Sequence, residues 1–364
     1  MEFKIIPIKN YIMSDINKKI YDQLLSASVV EKNFKINPEQ ILYEELYPKF
    51  GDRFIKYRKK YENYLKDEKH IIEPEYPISV ILELVNRCNL ECTFCYQGYR
   101  NDSTKSTMTQ EKLEKIFEEF EKNKLDSLLL SASEPLLYKE FPKVLKLAEQ
   151  AKIMDQFMFT NGVLLNEKNS EIILNSSLTR LFVSIDALTE KTYDKVRIPV
   201  GKSKIGTGRL EQLEKNIRNF IKMRTKLNKK LPLVRVSFIA LDNNIHEIKK
   251  FLDKWVEIVD TVEVQKESSI KIYDKLLNKN YEDKVLLKNY NCNQPWGQVT
   301  IHSDGVVSPC CNTIGRNLPI GNVFEKSLKE IWSGDEMNNV RQGFINNKPN
   351  KVCKLCIENV KEIY

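Results

Sequence analysis

Residues 77–96 read PISVILELVNRCNLECTFCY, and this stretch decides what the rest of the chain has to support. Residues 77–85 are mostly apolar and β-branched, which predicts a buried strand. Three cysteines follow at C-x3-C-x2-C spacing, namely Cys88, Cys92 and Cys95. Iron–sulfur centres prefer thiolate ligands, and three thiolates on one loop can hold three irons of a [4Fe–4S] cluster. The fourth iron would have no protein ligand and would be open to a small molecule.

A zinc site or a set of buried cysteines is the alternative interpretation of this triple. A structural zinc site takes four ligands, often from paired C-x2-C knuckles. No fourth Cys or His follows nearby, because the next His after the triple is His246. We therefore interpret the triple as an iron–sulfur site with one open iron.

The composition is that of a chain with a substantial hydrophobic core. The 364 residues are 41% hydrophobic and 30% charged, and this length allows two or three domains or one large α/β unit. The sequence has no signal-like start and no apolar run long enough to span a membrane, so we expect a cytoplasmic protein. The net charge of +8 is spread among acidic residues rather than gathered in one basic patch, so we expect no nucleic-acid partner.

Short apolar runs, several of them β-branched, alternate with amphipathic helical segments between residues 76 and 268. This alternation predicts a parallel sheet with helices packed outside and ligand chemistry at the carboxyl ends of the strands. Periodicity alone does not distinguish an open sheet from a barrel. The six predicted strands are Val80–Val85, Leu128–Leu130, Gln156–Phe159, Leu181–Ile185, Val234–Ala240 and Thr261–Val264.

The cysteine spacing, with the aromatic Phe94 before the third cysteine, resembles the signature of the radical S-adenosylmethionine (SAM) superfamily. The resemblance implies a partial (β/α)6 barrel with the cysteines in the loop after its first strand, where barrels place active sites. It also implies that the open iron chelates the amino and carboxylate groups of SAM. An electron from the cluster would then cleave SAM to a 5′-deoxyadenosyl radical, which abstracts hydrogen from the substrate. A reducing partner such as flavodoxin or ferredoxin is implied as well.

Further motifs match this family in the same order along the chain. Residues 132–135 read ASEP where the family usually has Gly-Gly-Glu-Pro, so Ala132 and Ser133 replace two glycines at this turn. The resemblance implies that Glu134 binds the amino group of SAM, and that the TNG sequence at 160–162 lies near SAM. It also implies that three further residues position SAM: Ser184, Asp186 and Arg197.

Residues 269–364 hold five more cysteines. The sequences DGVVSPC at 304–310, GN at 321–322 and EIW at 330–332, with a final C-x2-C, resemble the SPASM/twitch extension of radical SAM enzymes. Full SPASM domains have enough cysteines for two auxiliary clusters, and five are too few. A zinc ribbon with the same four ligands is the alternative. We predict one auxiliary [4Fe–4S] cluster held by Cys292, Cys310, Cys353 and Cys356.

Two residues of this segment have separate interpretations. Cys311 is left over, and it is either a small buried residue or a hydrogen-atom donor to a substrate radical, as a cysteine is in radical SAM epimerases. His302 stands beside the hairpin turn that Asp304 and Gly305 predict. We expect His302 at the surface.

Residues 1–75 carry no chemical signature. Helices are predicted around Ser14–Leu25 and Phe50–Lys66, and aromatic residues recur at helical spacing in the second, which predicts a packing face. We expect this segment to be a helical cap on the barrel, with a peptide-binding module as the alternative. The predicted organisation is thus a helical extension (1–75), a radical SAM partial barrel (76–268) and a SPASM/twitch-like domain (269–364).

These features predict a cytoplasmic radical SAM oxidoreductase. We expect it to abstract hydrogen from a carbohydrate or other small molecule, in a dehydrogenation or an epimerisation. A peptide substrate is the enzymatic alternative, and a zinc-stabilised binding protein is the non-enzymatic one. No residue in the sequence identifies the substrate.

Overall fold

The computed structural model of the chain describes residues 29–34, 37–66, 74–95, 105–202, 206, 208–266, 290–310 and 316–361. Cys311 and the predicted helix at Ser14–Leu25 lie outside these residues. The described strands are β1 (Val29–Phe34), β2 (Ser79–Leu82), β3 (Ser127–Leu130), β4 (Asp155–Thr160), β5 (Arg180–Ser184), β6 (Leu233–Ala240), β7 (Thr261–Lys266), β8 (Gln298–Ile301), β9 (Val306–Ser308) and β10 (Gly321–Asn322). They form one sheet in the order β1-β7-β6-β5-β4-β3-β2-β8-β9-β10.

Helices lie between most of these strands. The helix after the cysteine loop is an example: Thr109 caps it, and its apolar stripe buries Leu113, Phe117 and Phe120. The described helices are α1 (Pro38–Phe50), α2 (Asp52–Lys66), α3 (Gln110–Lys122), α4 (Phe141–Gln150), α5 (Glu167–Leu174), α6 (Glu190–Val196), α7 (Arg209–Lys226), α8 (Ile248–Trp255), α9 (Gln294–Gly297), α10 (Leu328–Trp332), α11 (Asp335–Ile345) and α12 (Lys351–Lys361).

Strands β2 to β7 are parallel and lie in sequence order, with α3 to α8 in the connections between them. This confirms the predicted α/β fold of six strands that alternate with helices. Leu181 and Val183 of β5 are buried, whereas Phe182 and Ser184 are half-buried, so successive side chains alternate between the two faces of the sheet. The carboxyl ends of the six strands meet at one rim, where the cysteine loop follows β2.

Helix α2 covers the opposite, amino-terminal ends of the strands. The Arg53 guanidinium donates to the carbonyl oxygens of Lys152, Lys124 and Leu125, which lie just before β3 and β4. The Tyr57 hydroxyl donates to Asp155 at the start of β4, 2.9 Å away. The aromatic residues of α2 therefore form a packing face, as their spacing predicts.

The carboxyl-terminal segment continues the same sheet. Strand β8 pairs in parallel with β2, and β9 and β10 add antiparallel strands beyond it. The segment also packs on α2, because a Cβ added at Gly297 would lie 2.3 Å from the ring of Tyr64. The predicted boundary at residues 268 and 269 thus falls between strands of one sheet, and the domain boundaries stay predictions.

Candidate iron–sulfur and SAM site

The cysteine loop lies along the segment that follows α6. The backbone N–H groups of Glu91 and Thr93 donate to the carbonyl oxygens of Ile198 and Val196, at 2.6 and 3.2 Å. Leu90 also forms an isolated antiparallel bridge with Pro199. Backbone hydrogen bonds therefore fix the path of the loop on both sides of Cys92.

Two side chains from other strand ends reach the sulfur atoms of the loop. The Nδ2 of Asn161, which follows β4, lies 3.5 Å from the Sγ of Cys88. The Nη1 of Arg197, which follows α6, lies 3.6 Å from the Sγ of Cys92. The same guanidinium lies 5.3 Å from the centre of the Phe94 ring. The sequence predicted Arg197 near this site, but the contact of Asn161 with a cysteine was not predicted.

The Glu134 carboxylate is buried beside these groups. It accepts hydrogen bonds from the Thr160 hydroxyl (2.8 Å), the Asn161 backbone N–H (2.8 Å) and the Leu136 backbone N–H (3.2 Å). Burial raises the pKa of Glu134 to about 6, and these donors oppose the shift. The charge of Arg197 also opposes the shift, although its own ion pair is with Asp186. A cationic ligand beside Glu134 would add to the compensation that Arg197 supplies.

Asp186 and Arg197 form a buried ion pair at the rim. Both the Nε and the Nη2 of Arg197 donate to the Oδ2 of Asp186, with the Nε at 2.7 Å, while the Oδ1 accepts from the backbone N–H of Ile239 at 2.7 Å. Burial raises the pKa of Asp186, and Arg197 opposes that shift. Asp186 thereby links the end of β5 to β6, and Arg197 links it to the cysteine loop.

Ser184 is the last residue of β5, two positions before Asp186. It is half-buried and pairs in register with Ser237 on β6. Ser237 is buried, and within the described ranges its hydroxyl has no hydrogen-bond partner. The structure thus brings Glu134, Asp186 and Arg197 to the cysteine loop, while Ser184 lies within β5.

The turn at residues 132–135 has a backbone conformation typical of glycine, although it contains no glycine. Ala132 has φ +76°, in the left-handed region that L-residues rarely adopt. Ala132 therefore holds a backbone conformation that glycine adopts readily, at a cost in strain. Asp186 also has positive φ, +61°, at the matching position after β5.

Replacing Ala132 with glycine should relieve this strain. The left-handed conformation costs alanine about 1–2 kcal/mol, and the added freedom of glycine in the unfolded chain offsets about 0.4–1 kcal/mol of the gain. We expect Ala132→Gly to raise the free energy of unfolding by about 0.5–1 kcal/mol, measured by urea unfolding. Ala187→Gly, at a buried position without positive φ, is the control and should be destabilising. A loss of stability in Ala132→Gly would contradict the strain at this turn.

The donor set of the loop fits an iron–sulfur cluster. Cys88, Cys92 and Cys95 are all partly exposed. Burial raises the pKa of Cys88 to about 11 and that of Cys92 to about 12. Bound iron would reverse this, because a coordinating thiol loses its proton.

The four carboxyl-terminal cysteines line one cavity. Its volume is about 40 Å³, which exceeds the space that one water molecule needs. Apolar side chains such as Leu318 and Phe344 complete its wall. Four cysteines are the ligand number and type that a [4Fe–4S] cluster takes, one for each iron. The lining cysteines are Cys292, Cys310, Cys353 and Cys356.

Hydrogen bonds position two of these ligands. The Thr300 hydroxyl of β8 donates to the carbonyl oxygen of Cys310 at 2.8 Å. The Nδ2 of Asn350 lies 3.3 Å from the Sγ of Cys353, whose backbone N–H donates to the Oδ1 of Asn350. Among the described residues, no three Cys, His, Asp or Glu side chains are grouped so that they could hold a single metal ion.

The expectation that His302 lies at the surface is wrong. Its ring is buried, with Nδ1 3.4 Å from the carboxylate of Glu83 and Nε2 2.9 Å from the hydroxyl of Ser308. Glu83 also accepts from the Ser303 hydroxyl at 2.9 Å. Pairing of β8 with β2 brings these residues together, although 219 positions separate Glu83 from His302.

Two family models match the chain. The radical SAM superfamily matches residues 82–254, and the SPASM iron–sulfur cluster-binding domain matches residues 292–357. A probable GTP 3′,8-cyclase of Methanococcus maripaludis (strain C5) is 26% identical over 172 residues, 47% of this chain and 53% of that protein. The probable GTP 3′,8-cyclase of Methanocaldococcus jannaschii is 25% identical over 226 residues, 59% of this chain and 71% of that one. The chain thus spans about half the length of the first of these relatives.

Solved structures share the fold at low sequence identity. Streptococcus suis SuiB bound to S-adenosylmethionine superposes with a TM-score of 0.56 and 17% identity, over 84% of this chain and 77% of that one. The anSMEcpe structure with bound AdoMet has a TM-score of 0.54 and 17% identity, over 77% and 84%.

A partial barrel of parallel strands with three cysteines after its first strand is the arrangement of one class of iron–sulfur protein. The two family models identify that class. Residues 82–254 form a domain of the radical SAM superfamily of enzymes, and residues 292–357 form a carboxyl-terminal SPASM domain. These two domains imply a SAM-binding [4Fe–4S] cluster, an auxiliary cluster and SAM itself. None of the described helices is both long and apolar enough to cross a bilayer.

Proposed function

We propose that this chain is a radical SAM oxidoreductase whose SAM-binding cluster is held by Cys88, Cys92 and Cys95. When bound, the cluster supplies the electron that cleaves SAM, and the resulting radical removes a hydrogen atom from the substrate. The observation that supports this most strongly is the convergence of side chains on the cysteine loop. Asn161 and Arg197 contact its sulfur atoms, and these two residues in turn contact Glu134 and Asp186.

The residues of the rim hold the reactants in this proposal. Glu134 binds the ammonium of SAM with a carboxylate that three donors already orient. Asp186 fixes Arg197, which braces the cysteine loop and stands near the SAM carboxylate. Ser184, the last residue of β5 and two residues before Asp186, faces the ribose or methionyl part of SAM. Because Glu134, Asp186 and Arg197 are buried before SAM binds, these three groups need little reorganisation.

The auxiliary cluster has a separate task in the proposal. Cys292, Cys310, Cys353 and Cys356 hold it, and it either accepts the electron left after hydrogen abstraction or holds the substrate nearby. A flavodoxin or ferredoxin supplies the first electron. The cytoplasm is the proposed location, because its reducing conditions disfavour disulfides and so leave cysteines available as metal ligands.

The proposed substrate is a carbohydrate or another small molecule, oxidised or epimerised at a carbon–hydrogen bond. A peptide is the second candidate. The fold similarity to SuiB, which has also been solved with its precursor peptide SuiA, favours including it (TM-score 0.53, 16% identity). If epimerisation is the reaction, Cys311 is the proposed hydrogen-atom donor, and Cys311→Ala would separate a donor from a bystander.

Anaerobic reconstitution tests the proposed activity. The purified protein should bind about eight irons per chain, as two [4Fe–4S] clusters require. With SAM and a low-potential reductant it should form 5′-deoxyadenosine, and without the reductant it should form none. Candidate sugars and candidate peptides added in separate reactions should then show which class loses hydrogen. A colourless protein that carries zinc and forms no 5′-deoxyadenosine would overturn the proposal in favour of a binding protein.

A further inference from the structure

We infer that Asn161 raises the reduction potential of the SAM-binding cluster through an N–H···S hydrogen bond to Cys88. The inference rests on the proposed function, because it requires the cluster at Cys88, Cys92 and Cys95. It adds a positioning residue whose effect is on the cluster's redox equilibrium rather than on SAM or substrate. It is drawn from the placement of the Asn161 amide in this chain.

Every polar atom of the Asn161 side chain has a partner, which fixes its orientation. The Nδ2 donates one hydrogen towards the Sγ of Cys88, 3.5 Å away, and the other to the Oδ1 of Asn89 at 2.7 Å. The Oδ1 of Asn161 accepts from the backbone N–H of Val163 at 3.0 Å. The residue is only 5% exposed. An amide held in this way cannot turn its donors away from the sulfur.

The same residue connects the cluster loop to the predicted SAM site. The backbone N–H of Asn161 donates to the Oε2 of Glu134 at 2.8 Å. A shift of the turn at Asn161 would therefore change two contacts at once. The side-chain amide would move relative to Cys88, and the backbone N–H would move relative to the carboxylate of Glu134. The backbone N–H of Leu90 also hydrogen-bonds to Cys88, so Asn161 is the donor to this sulfur that a substitution can remove.

The direction of the effect follows from charge. Reduction adds one electron to the cluster and spreads negative charge onto its sulfur ligands. An N–H dipole that points at a ligand sulfur stabilises the reduced form more than the oxidised form, so it raises the potential. Removal of the dipole should make the cluster harder to reduce.

The chain offers a matched control for this test. The Nδ2 of Asn216 on α7 donates to the carbonyl oxygen of Gly162 at 3.0 Å. Asn216→Ala therefore removes a buried amide hydrogen bond to the same turn without removing a donor to sulfur. Asn161→Asp is a second variant, because it keeps the side-chain volume and exchanges the donor for a carboxylate oxygen.

The experiment is a dithionite titration of the reconstituted full-length protein, followed by electron paramagnetic resonance. The signal that changes on addition of SAM reports the cluster at Cys88–Cys95, and the auxiliary signal is the internal reference. We expect Asn161→Ala to lower the midpoint by about 59 mV, a tenfold change in the one-electron equilibrium constant. Asn161→Asp should lower it further, and Asn216→Ala should leave it unchanged. Because only molecules that hold a cluster give a signal, incomplete loading does not shift the midpoint.

Two results would overturn the inference. One is an Asn161→Ala midpoint equal to that of the wild type, and the other is an equal shift in Asn161→Ala and Asn216→Ala, which would assign the effect to the turn. Failure of the proposed function looks different. In that case the wild-type protein shows no signal that responds to SAM, before any variant is compared.

Discussion

Replacing Cys92 with alanine should reduce reductant-dependent 5′-deoxyadenosine formation to background. Two remaining thiolates cannot hold three irons of a cubane, so the iron that binds SAM loses its support. The iron content should fall from about eight to about four per chain, because the auxiliary cluster remains. Iron analysis and chromatography of the SAM products measure both effects. We expect a complete loss because Cys88 and Cys95 already serve as ligands, and the described part of this loop has no other cysteine that could replace Cys92.

Cys353→Ala is the matched control for that experiment. It removes one ligand from the auxiliary cavity, whose lining includes no residue of the cysteine loop at 88–95. We expect the auxiliary irons to be lost while SAM cleavage in the absence of substrate continues. Wild-type rates of 5′-deoxyadenosine formation in Cys92→Ala would refute the assignment of the triple.

Replacing Asp186 with asparagine should destabilise the fold by about 3–5 kcal/mol, the usual loss when one partner of a buried ion pair is removed. The Arg197 guanidinium would keep its charge in a buried position, with no carboxylate beside it. Asparagine is the informative replacement because it tolerates the positive φ of this residue and has nearly the same volume. The midpoint of urea unfolding, compared with wild type at equal slope, measures the loss.

A double variant separates the charge effect from other losses. In Asp186→Asn with Arg197→Met, no uncompensated charge stays buried, so the pair of changes should be less destabilising than Asp186→Asn alone. The exposed pair of Glu111 and Lys115 is the comparison, and Glu111→Ala should leave the unfolding midpoint unchanged. If Asp186→Asn unfolds at the wild-type urea concentration, the ion pair does not brace the rim.

The sequence was sufficient to predict local features of this chain. The six predicted apolar runs fall on β2 to β7, because the local period of hydrophobic residues distinguishes strands from amphipathic helices. Thr109 directly precedes α3, where threonine is a favoured capping residue, and it accepts a hydrogen bond from the backbone N–H of Lys112. Cysteine spacing indicated both groups of ligands, since short loops keep such residues close together in space.

The pairing of strands that are distant in the sequence could not be predicted from the sequence alone. His302 is buried because β8 lies against β2 and brings Glu83 beside it, and no local pattern encodes that pairing. The contact of Asn161 with Cys88 spans 73 positions and arises from the order of strands in the sheet. The positive φ of Ala132 was not predictable either, because alanine rarely adopts the left-handed conformation.

The place of β2 between β3 and β8 limits how this chain can be divided. Removal of residues 290–361 would leave one side of β2 with unpaired N–H and C=O groups, on a short apolar strand at a new sheet edge. Such an edge is a template for association with another chain, so a truncated barrel should aggregate. Dissection of the two iron–sulfur sites is therefore better done by single substitutions in the intact polypeptide than by expression of fragments.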